Sequence, residues 1–260
     1  MSFEETPALR YQKQNQIATL SIDNPARLNA MTFEMWKSLP DFLEQAKSDP
    51  EVGVLVLRGA GDKAFSSGAD ISQFGARRST EEGVKLWNTT VSEGVAQLAA
   101  FPKPVVGLIR GFCFGGGVGL ALHCDLRFVI DDASFSIPAA RLGVGYYPMW
   151  LHRLSALVGP AVAKEIMFTA RRYNSEQALA VGLINGIYNE DEALDIVRKI
   201  SKLAPLSHTA SKLAIDEAVI PGSYGLERCE QALSACFSSQ DYIEGQAAFR
   251  DKRPAVFSGR

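Results

Sequence analysis

Two short stretches carry the residues best suited to chemistry. FSSGAD (65–70) and FGGGVG (114–119) each place small side chains after an apolar, strand-like run and before a stretch that reads as helix. The first backbone N–H groups of a helix have no partner within it and sit at the positive end of its dipole. Small side chains let a ligand oxygen come within hydrogen-bonding distance of that bare backbone. Two such junctions meeting would put two N–H donors on one oxygen, an oxyanion hole, where loss of one donor typically costs about 10²–10³ in rate. The plain alternative is close packing, since glycine lets helix and strand approach. Gly119 asks for its own reason, because a glycine inside a helix costs roughly 1 kcal/mol against alanine. Neither stretch has the G-x-G-x-x-G spacing of a dinucleotide site, a P-loop lysine or a G-x-S-x-G nucleophile elbow.

The elements that must position these junctions alternate in type. Apolar runs at 16–23, 53–59, 105–111 and 126–132 have strand composition and are bounded by turn residues. Helical patterns lie between them at 31–49 and 80–101, the second behind a Ser79…Glu82 capping box. Alternating strands and helices predict an α/β fold with parallel strands. VLVLRGAGDKAFSSGAD and VVGLIRGFCFGGGVG echo one another, each running strand, Arg-Gly, connector and small residues. The last third reads as helical: 160–170 opens on proline, 175–182 closes on Gly182, and further helices follow Pro205. The spacing predicts a core over 1–196 and a helical region over 197–260 that packs on the core or on a neighbouring subunit.

Composition bounds the partners. The 260 residues are 47% apolar, enough for a sizeable core, and 27 Lys+Arg stand against 29 Asp+Glu for a net charge of −2. No basic stripe is interleaved with aromatics, so nucleic acid is not an expected partner. No apolar run approaches the 18 or so residues of a membrane span, and MSFEETPALR has no apolar leader core, which together predict a cytoplasmic protein. Cys113, Cys124, Cys229 and Cys236 fall into no metal or disulfide spacing and read as reduced thiols.

In order along the chain, NPARLNAM, KAFSSGADI, KPVVGLIRGFCFGGGVGLALHCDLRF, FSIPAARLGVGYYP and AKEIMFTARRYNSEQALAVGLIN resemble the enoyl-CoA hydratase/isomerase (crotonase) superfamily over nearly the whole length. The resemblance implies a ββα spiral core with a C-terminal helical region that makes subunit contacts and covers the active site. It also implies a homotrimer or dimer of trimers, an acyl-CoA thioester as partner, and no cofactor beyond the coenzyme A of the substrate. Two backbone N–H groups, carried over by motif to Ala69 and Gly116, would stabilise a thioester enolate. Ser67, Gly68 and Gly115 flank those donors. Arg27 and Leu28, with Asp70, Ile71 and Ser72, would lie along the CoA arm, although the family often has lysine where Ser72 stands. The closing FRDKRPAVF is similar to the family's terminal signature and makes Lys252 either a CoA-phosphate contact or a solvated charge.

Hydratases of this family carry a glutamate two residues after the glycine triplet and another after the proline of the next motif. Those positions are Gly119 and Ala139, and neither can exchange a proton. The family's third catalytic slot holds Tyr146, as in members that decarboxylate acyl-CoAs. The continuation from His152 onward also resembles the methylmalonyl-CoA decarboxylase branch. Loss of CO₂ itself generates the enolate, so no strong base is needed. Tyr146, with an ordinary pKa near 10, could orient the carboxylate, reprotonate Cα, or simply line the pocket. Arg141 could hold a substrate carboxylate in a bidentate pair or serve as a solvated or subunit-contact charge. Trp87 and Phe74 line an acyl pocket or plain core, and His123 and His152 read as structural. The expected activity is lyase chemistry, decarboxylation of a carboxyacyl-CoA best fitting the residues. Hydration with atypical acid/base groups and non-catalytic acyl-CoA binding are the alternatives.

Overall fold

Central strands with apolar residues at every position need partners on both faces, and the fold supplies them. The computed structural model describes residues 6–219 and 224–260; the first five residues of the acidic start lie outside the described residues. The strands are β1 (Ala8–Gln14), β2 (Ile17–Asp23), β3 (Val54–Gly59), β4 (Ala64–Ser66), β5 (Val105–Phe114), β6 (Leu126–Ser136), β7 (Tyr173–Asn174) and β8 (Gly186–Tyr188). They form one sheet in the order β1-β2-β3-β5-β6-β7, with β4 also on β5 and β8 also on β6. The pairs β2·β3, β3·β5, β4·β5, β5·β6 and β6·β8 are parallel, and the pairs at β1 and β7 are antiparallel.

Side chains alternate across this sheet. Leu55 and Leu57 of β3 and Val105 and Ile109 of β5 face the main core. Against it lie α1 (Phe33–Ser48), the short α2 (Phe74–Arg77), α3 (Glu81–Ala99), α4 (Gly116–Leu122), α5 (Ala139–Leu142) and α6 (Pro148–Thr169). Following these, α7 (Ser175–Ala180) leads to α8 (Glu190–Ser201). The other face of the sheet, Val54, Val56, Val106 and Leu108, packs on Ala193 and Val197 of α8. The 196/197 boundary therefore falls inside a helix that belongs to the sheet's packing. Helices leaving the sheet begin with α9 (Pro205–Val219), followed by α10 (Leu226–Phe237) and α11 (Gln240–Asp251). Ion pairs Lys212–Asp125 at 2.8 Å and Arg153–Asp216 at 3.3 Å tie α9 to the core.

Several expected boundaries move. β5 continues through Gly111 to Phe114, and β6 continues to Ser136. The cap of α3 is Thr80, whose hydroxyl accepts from Gly83 N at 3.1 Å, not Ser79. Gly182 lies just past α7 with φ +77, as the sequence suggests for a helix stop. Pro160 opens the second part of α6 after a break at Gly159 (φ 76, ψ 160). Cys113 and Cys124 are buried free thiols, whereas Cys229 and Cys236 are only half-buried. Among the described residues no helix is long and apolar enough to cross a membrane.

Candidate active site

The internal echo in the sequence is a pairing in space. β4 runs parallel to β5 with Ser66 opposite Cys113, so the turn after β4 and the turn after β5 leave the sheet side by side. Glycine at the second turn permits the approach: a Cβ on Gly117 would lie 2.3 Å from Ser66 O. A Cβ on Gly116 would lie 3.4 Å from Ala69 N, so the two amides stand next to one another. Among the described residues neither the Ala69 nor the Gly116 N–H donates to an acceptor, while their neighbours do. Ser67 N donates to Leu28 O, Asp70 N to Met31 O and Gly115 N to Ser136 O.

The 24–31 segment braces the first turn. Asn29 is buried, accepts from Asn24 N, and donates its amide to Ala60 O and Ala64 O. Ser66 Oγ donates to Asn29 O and Met31 N to Gly68 O. Asn24 and Asn29 are thus structural parts of NPARLNAM that sequence reasoning passed over. Their signal was two amide side chains flanking a turn.

Both amides line one cavity of about 370 Å³. Ser67, Gly68, Gly115 and the exposed Ile71 belong to the same wall. Asp70 and Ser72 do not line it. Asp70 Oδ1 instead accepts from Ser72 N at 3.0 Å, Ser72 Oγ at 2.7 Å and Arg27 Nη1 at 3.1 Å, so Arg27, Asp70 and Ser72 form one cluster next to the lining residues Ala69 and Ile71. Leu28 sits in the left-handed region beside them. Arg141, on α5, is exposed and outside the cavity lining, and so is Lys252, the left-handed residue closing α11. The cation in the cavity wall is Arg78.

The opposite wall is aromatic: Trp36, Phe74, Trp87, Tyr146, Tyr147 and Trp150. Trp150 is its centre, with ring centroids 4.9 Å from Tyr146, 4.6 Å from Tyr147 and 6.4 Å from Trp36. It also explains Gly119. A Cβ on Gly119 would stand 2.5–2.7 Å from three carbons of the Trp150 ring, so indole occupies the space a side chain at 119 would need. Sequence reasoning missed Trp150; the aromatic density of YYPMW was the available signal. Ala139 lines the cavity with nothing but a methyl group.

Tyr146 donates its hydroxyl to Gly115 O at 2.9 Å. That carbonyl and the Gly116 N–H belong to the same peptide group. Burial holds the Tyr146 phenol well above its ordinary pKa, and burial pushes Tyr147 up to about 12. Among the described lining residues there is no Asp, Glu, His or Lys.

Behind α4, His123 caps the helix and donates Nδ1–H to Gly119 O at 2.8 Å. Burial first, with Arg153 and Arg127 nearby, lowers its pKa from 6.5 to about 4. The unfolded chain takes up this proton near pH 6.5 and the folded chain only near 4. Stability is therefore complete above 6.5 and declines as pH falls, by about 3 kcal/mol in all at 1.36 kcal/mol per pKa unit. Denaturant midpoints at pH 7 and pH 4.5 measure this loss, and His123→Asn is expected to flatten it. An unflattened slope would assign the acid sensitivity elsewhere.

Comparison with known proteins agrees with this architecture. The family model described as Enoyl-CoA hydratase/isomerase matches residues 12–260. The chain is 33% identical to a short-chain-enoyl-CoA hydratase of Clostridium acetobutylicum over 93% of this chain and 94% of that one. It is 30% identical to a carnitinyl-CoA dehydratase of Escherichia coli, covering 97% of this chain and 99% of the other. A crystal structure of an enoyl-CoA hydratase/carnithine racemase from Magnetospirillum magneticum superposes with a TM-score of 0.92 at 31% identity, covering 99% of this chain and 98% of that one. The mixed sheet, the helices upon it and the C-terminal helical region are the crotonase fold, and the chain belongs to the enoyl-CoA hydratase/isomerase family.

Proposed function

We propose that the chain is a lyase that binds an acyl-CoA thioester, receives the thioester oxygen on the Ala69 and Gly116 N–H groups, and releases CO₂ from a carboxyacyl group. One observation carries the reading: the cavity offers two adjacent unpaired amides and, among its described lining residues, no carboxylate, imidazole or amine. Hydration needs a base to take a proton from water and an acid to deliver one to Cα, each within about 3 Å of its proton. In decarboxylation the C–C bond electrons flow into the thioester carbonyl as CO₂ leaves. The enolate so formed is what two fixed N–H donors stabilise. Cα then takes one proton from solvent water, since the described lining residues hold no Asp, Glu, His or Lys to supply it. Ser67, Gly68 and Gly115 shape the approach to the donors, and the cluster of Arg27, Asp70 and Ser72 with Leu28 and Ile71 lies where the CoA arm would leave the cavity. No cofactor beyond coenzyme A enters this scheme.

Tyr146 acts here as a positioning residue. Its hydroxyl proton is spent on Gly115 O, which fixes the peptide plane and polarises the Gly116 N–H at its other end. Tyr146→Phe is then expected to lower kcat by about three- to tenfold with KM unchanged, whereas a lost general acid costs about 10²–10⁴. The wild-type kcat/KM should stay level from about pH 6 to 9. Burial keeps both lining phenols protonated above their ordinary range near 10, so any decline lies on the alkaline side. A bell centred near neutrality would show that another group moves protons.

The test of the function is CO₂ release from malonyl- and methylmalonyl-CoA beside hydration of crotonyl-CoA. Hydration within about tenfold of a hydratase carrying both glutamates, roughly 1.4 kcal/mol of barrier, would replace this reading, and the hydratase names of the relatives favour that alternative. Tight binding with no turnover of any thioester would make the protein a binder. The C-terminal helices expose Leu233, Phe237, Ile243 and Phe249, which supports subunit contacts of a homotrimer or dimer of trimers and a cover for the site.

A further inference from the structure

Arg78 is the one charged residue among the described residues lining the cavity. It closes α2 and is half-buried, its guanidinium carbon 4.4 Å over the Phe74 ring, with no carboxylate of the described residues within ion-pairing distance. Glu81 and Glu82, at the start of α3, make no ion pair with it, and two other acids of this region are already taken. Arg77 pairs with Glu34 at 2.5 Å, and Arg27 pairs with Asp70 at 3.1 Å. Stacking on a ring occupies the face of a guanidinium and leaves its N–H edges free. A half-buried cation without a counter-ion in an aromatic enclosure favours an anionic ligand.

The groups around it have the same polarity. Tyr147 donates its hydroxyl to Asn88 Oδ1 at 3.0 Å, which occupies the amide's acceptor and leaves its two N–H bonds. Trp36 and Trp150 line the cavity, are 1% and 3% exposed, and have indole N–H groups that are buried without an acceptor. Those two indole N–H groups are closed off from the cavity, so the donors this wall offers a ligand are the Arg78 fork and the Asn88 amide. A carboxylate supplies two acceptor oxygens in the spacing of the arginine fork.

We propose that Arg78 and Asn88 form a carboxylate-binding subsite in the aromatic half of the cavity, which selects thioesters of dicarboxylic acids over those of monocarboxylic acids. The proposal rests on the acyl-CoA reading of the cavity and names the substrate class within it. Arg141, the arginine that the sequence offered for this role, stands outside the cavity.

Binding separates this proposal from the reaction. Succinyl- and glutaryl-CoA carry their second carboxylate away from Cα and cannot lose CO₂ through a thioester enolate, so calorimetry reads affinity without turnover. Butyryl- and valeryl-CoA are the neutral counterparts. At least one dicarboxylic thioester is expected to bind the wild-type protein about tenfold or more tightly than its counterpart. Arg78→Gln should remove that preference while neutral thioesters bind within about threefold of wild type, and Arg78→Lys should restore part of it. Equal affinity for charged and neutral thioesters in the wild-type protein overturns the proposal. So does an Arg78→Gln variant that weakens butyryl-CoA, succinyl-CoA and free CoA alike, which would place Arg78 on the CoA phosphates. Failure of CO₂ release leaves this comparison intact. Absence of binding by every thioester overturns the proposal together with the acyl-CoA reading beneath it.

Discussion

Replacing Gly116 by proline is expected to lower CO₂ release from the preferred carboxyacyl thioester by about 10²–10³-fold, the usual cost of one oxyanion donor, while the protein stays folded. Gly116 is the first residue of α4, a position where proline is tolerated because its missing N–H has no helical partner. The preceding residue is glycine, with φ 49 and ψ −115, so no side chain stands against the ring. A Cβ at 116 meets its nearest neighbours at 3.4–3.6 Å, ordinary contact distances. Proline thus deletes the donor and sets its Cδ in place of the amide hydrogen, facing the position of the thioester oxygen. Gly116→Ala keeps the N–H and adds the same Cβ, so it measures what the Cβ alone costs. The expected result is a large loss in kcat for proline, a much smaller one for alanine, and melting temperatures close to wild type for both. Equal losses in the two variants would assign the effect to crowding and remove Gly116 N–H from the mechanism.

The second large effect concerns stability at Gly119. Gly119→Ala gains up to about 1 kcal/mol of helix propensity, but its Cβ lands 2.5–2.7 Å from the Trp150 ring. Trp150 is hemmed in by Trp36, Tyr146 and Tyr147, so its ring can yield only toward the cavity it lines. Overpacking of this kind costs about 1–3 kcal/mol, so a net loss is expected despite the better helix former. For a chain of this length each kcal/mol moves the melting temperature by about 2–4 °C. Gly119→Glu is expected to be worse, since it adds an unpaired carboxylate to the same overlap, and to confer no hydration. Trp150→Leu relieves the overlap, so the double variant with Gly119→Ala should be more stable than the sum of the singles predicts, with a coupling of about 0.5–3 kcal/mol. A Gly119→Ala protein as stable as wild type would mean that the indole moves aside freely.

The central strands and the two small-residue junctions were legible because they depend on local pattern. A run such as VLVLRG is apolar at nearly every position, and only a strand covered on both faces uses that. β1 was missed because ALRYQKQ is an edge strand with one buried residue, Leu9, so its pattern is nearly polar. β4, β7 and β8 span two or three residues, too short for a period to register. The site shows the same division. The two junctions follow from strand-turn-helix grammar, and the resemblance to the family points to Ala69 and Gly116 within them. The contents of the aromatic wall do not, because Trp36 on α1, Arg78 after α2, Asn88 on α3 and Trp150 on α6 meet only in three dimensions. The sequence offered Arg141 for a carboxylate and gave no signal for Arg78. Only the packing decides which one reaches the cavity.

The pairing of β4 on β5 has a further consequence. It brings the two amides together by strand register and turn geometry, with no side chain of either residue taking part in the N–H groups themselves. Substitution at Ala69 or Gly116 cannot erase a backbone amide unless the newcomer is proline. The pair therefore depends on topology and on the glycines that let the two turns approach, not on the side chains of the cavity walls. A lineage built this way can exchange its proton-handling groups freely and still present the same two hydrogens to whatever oxygen arrives.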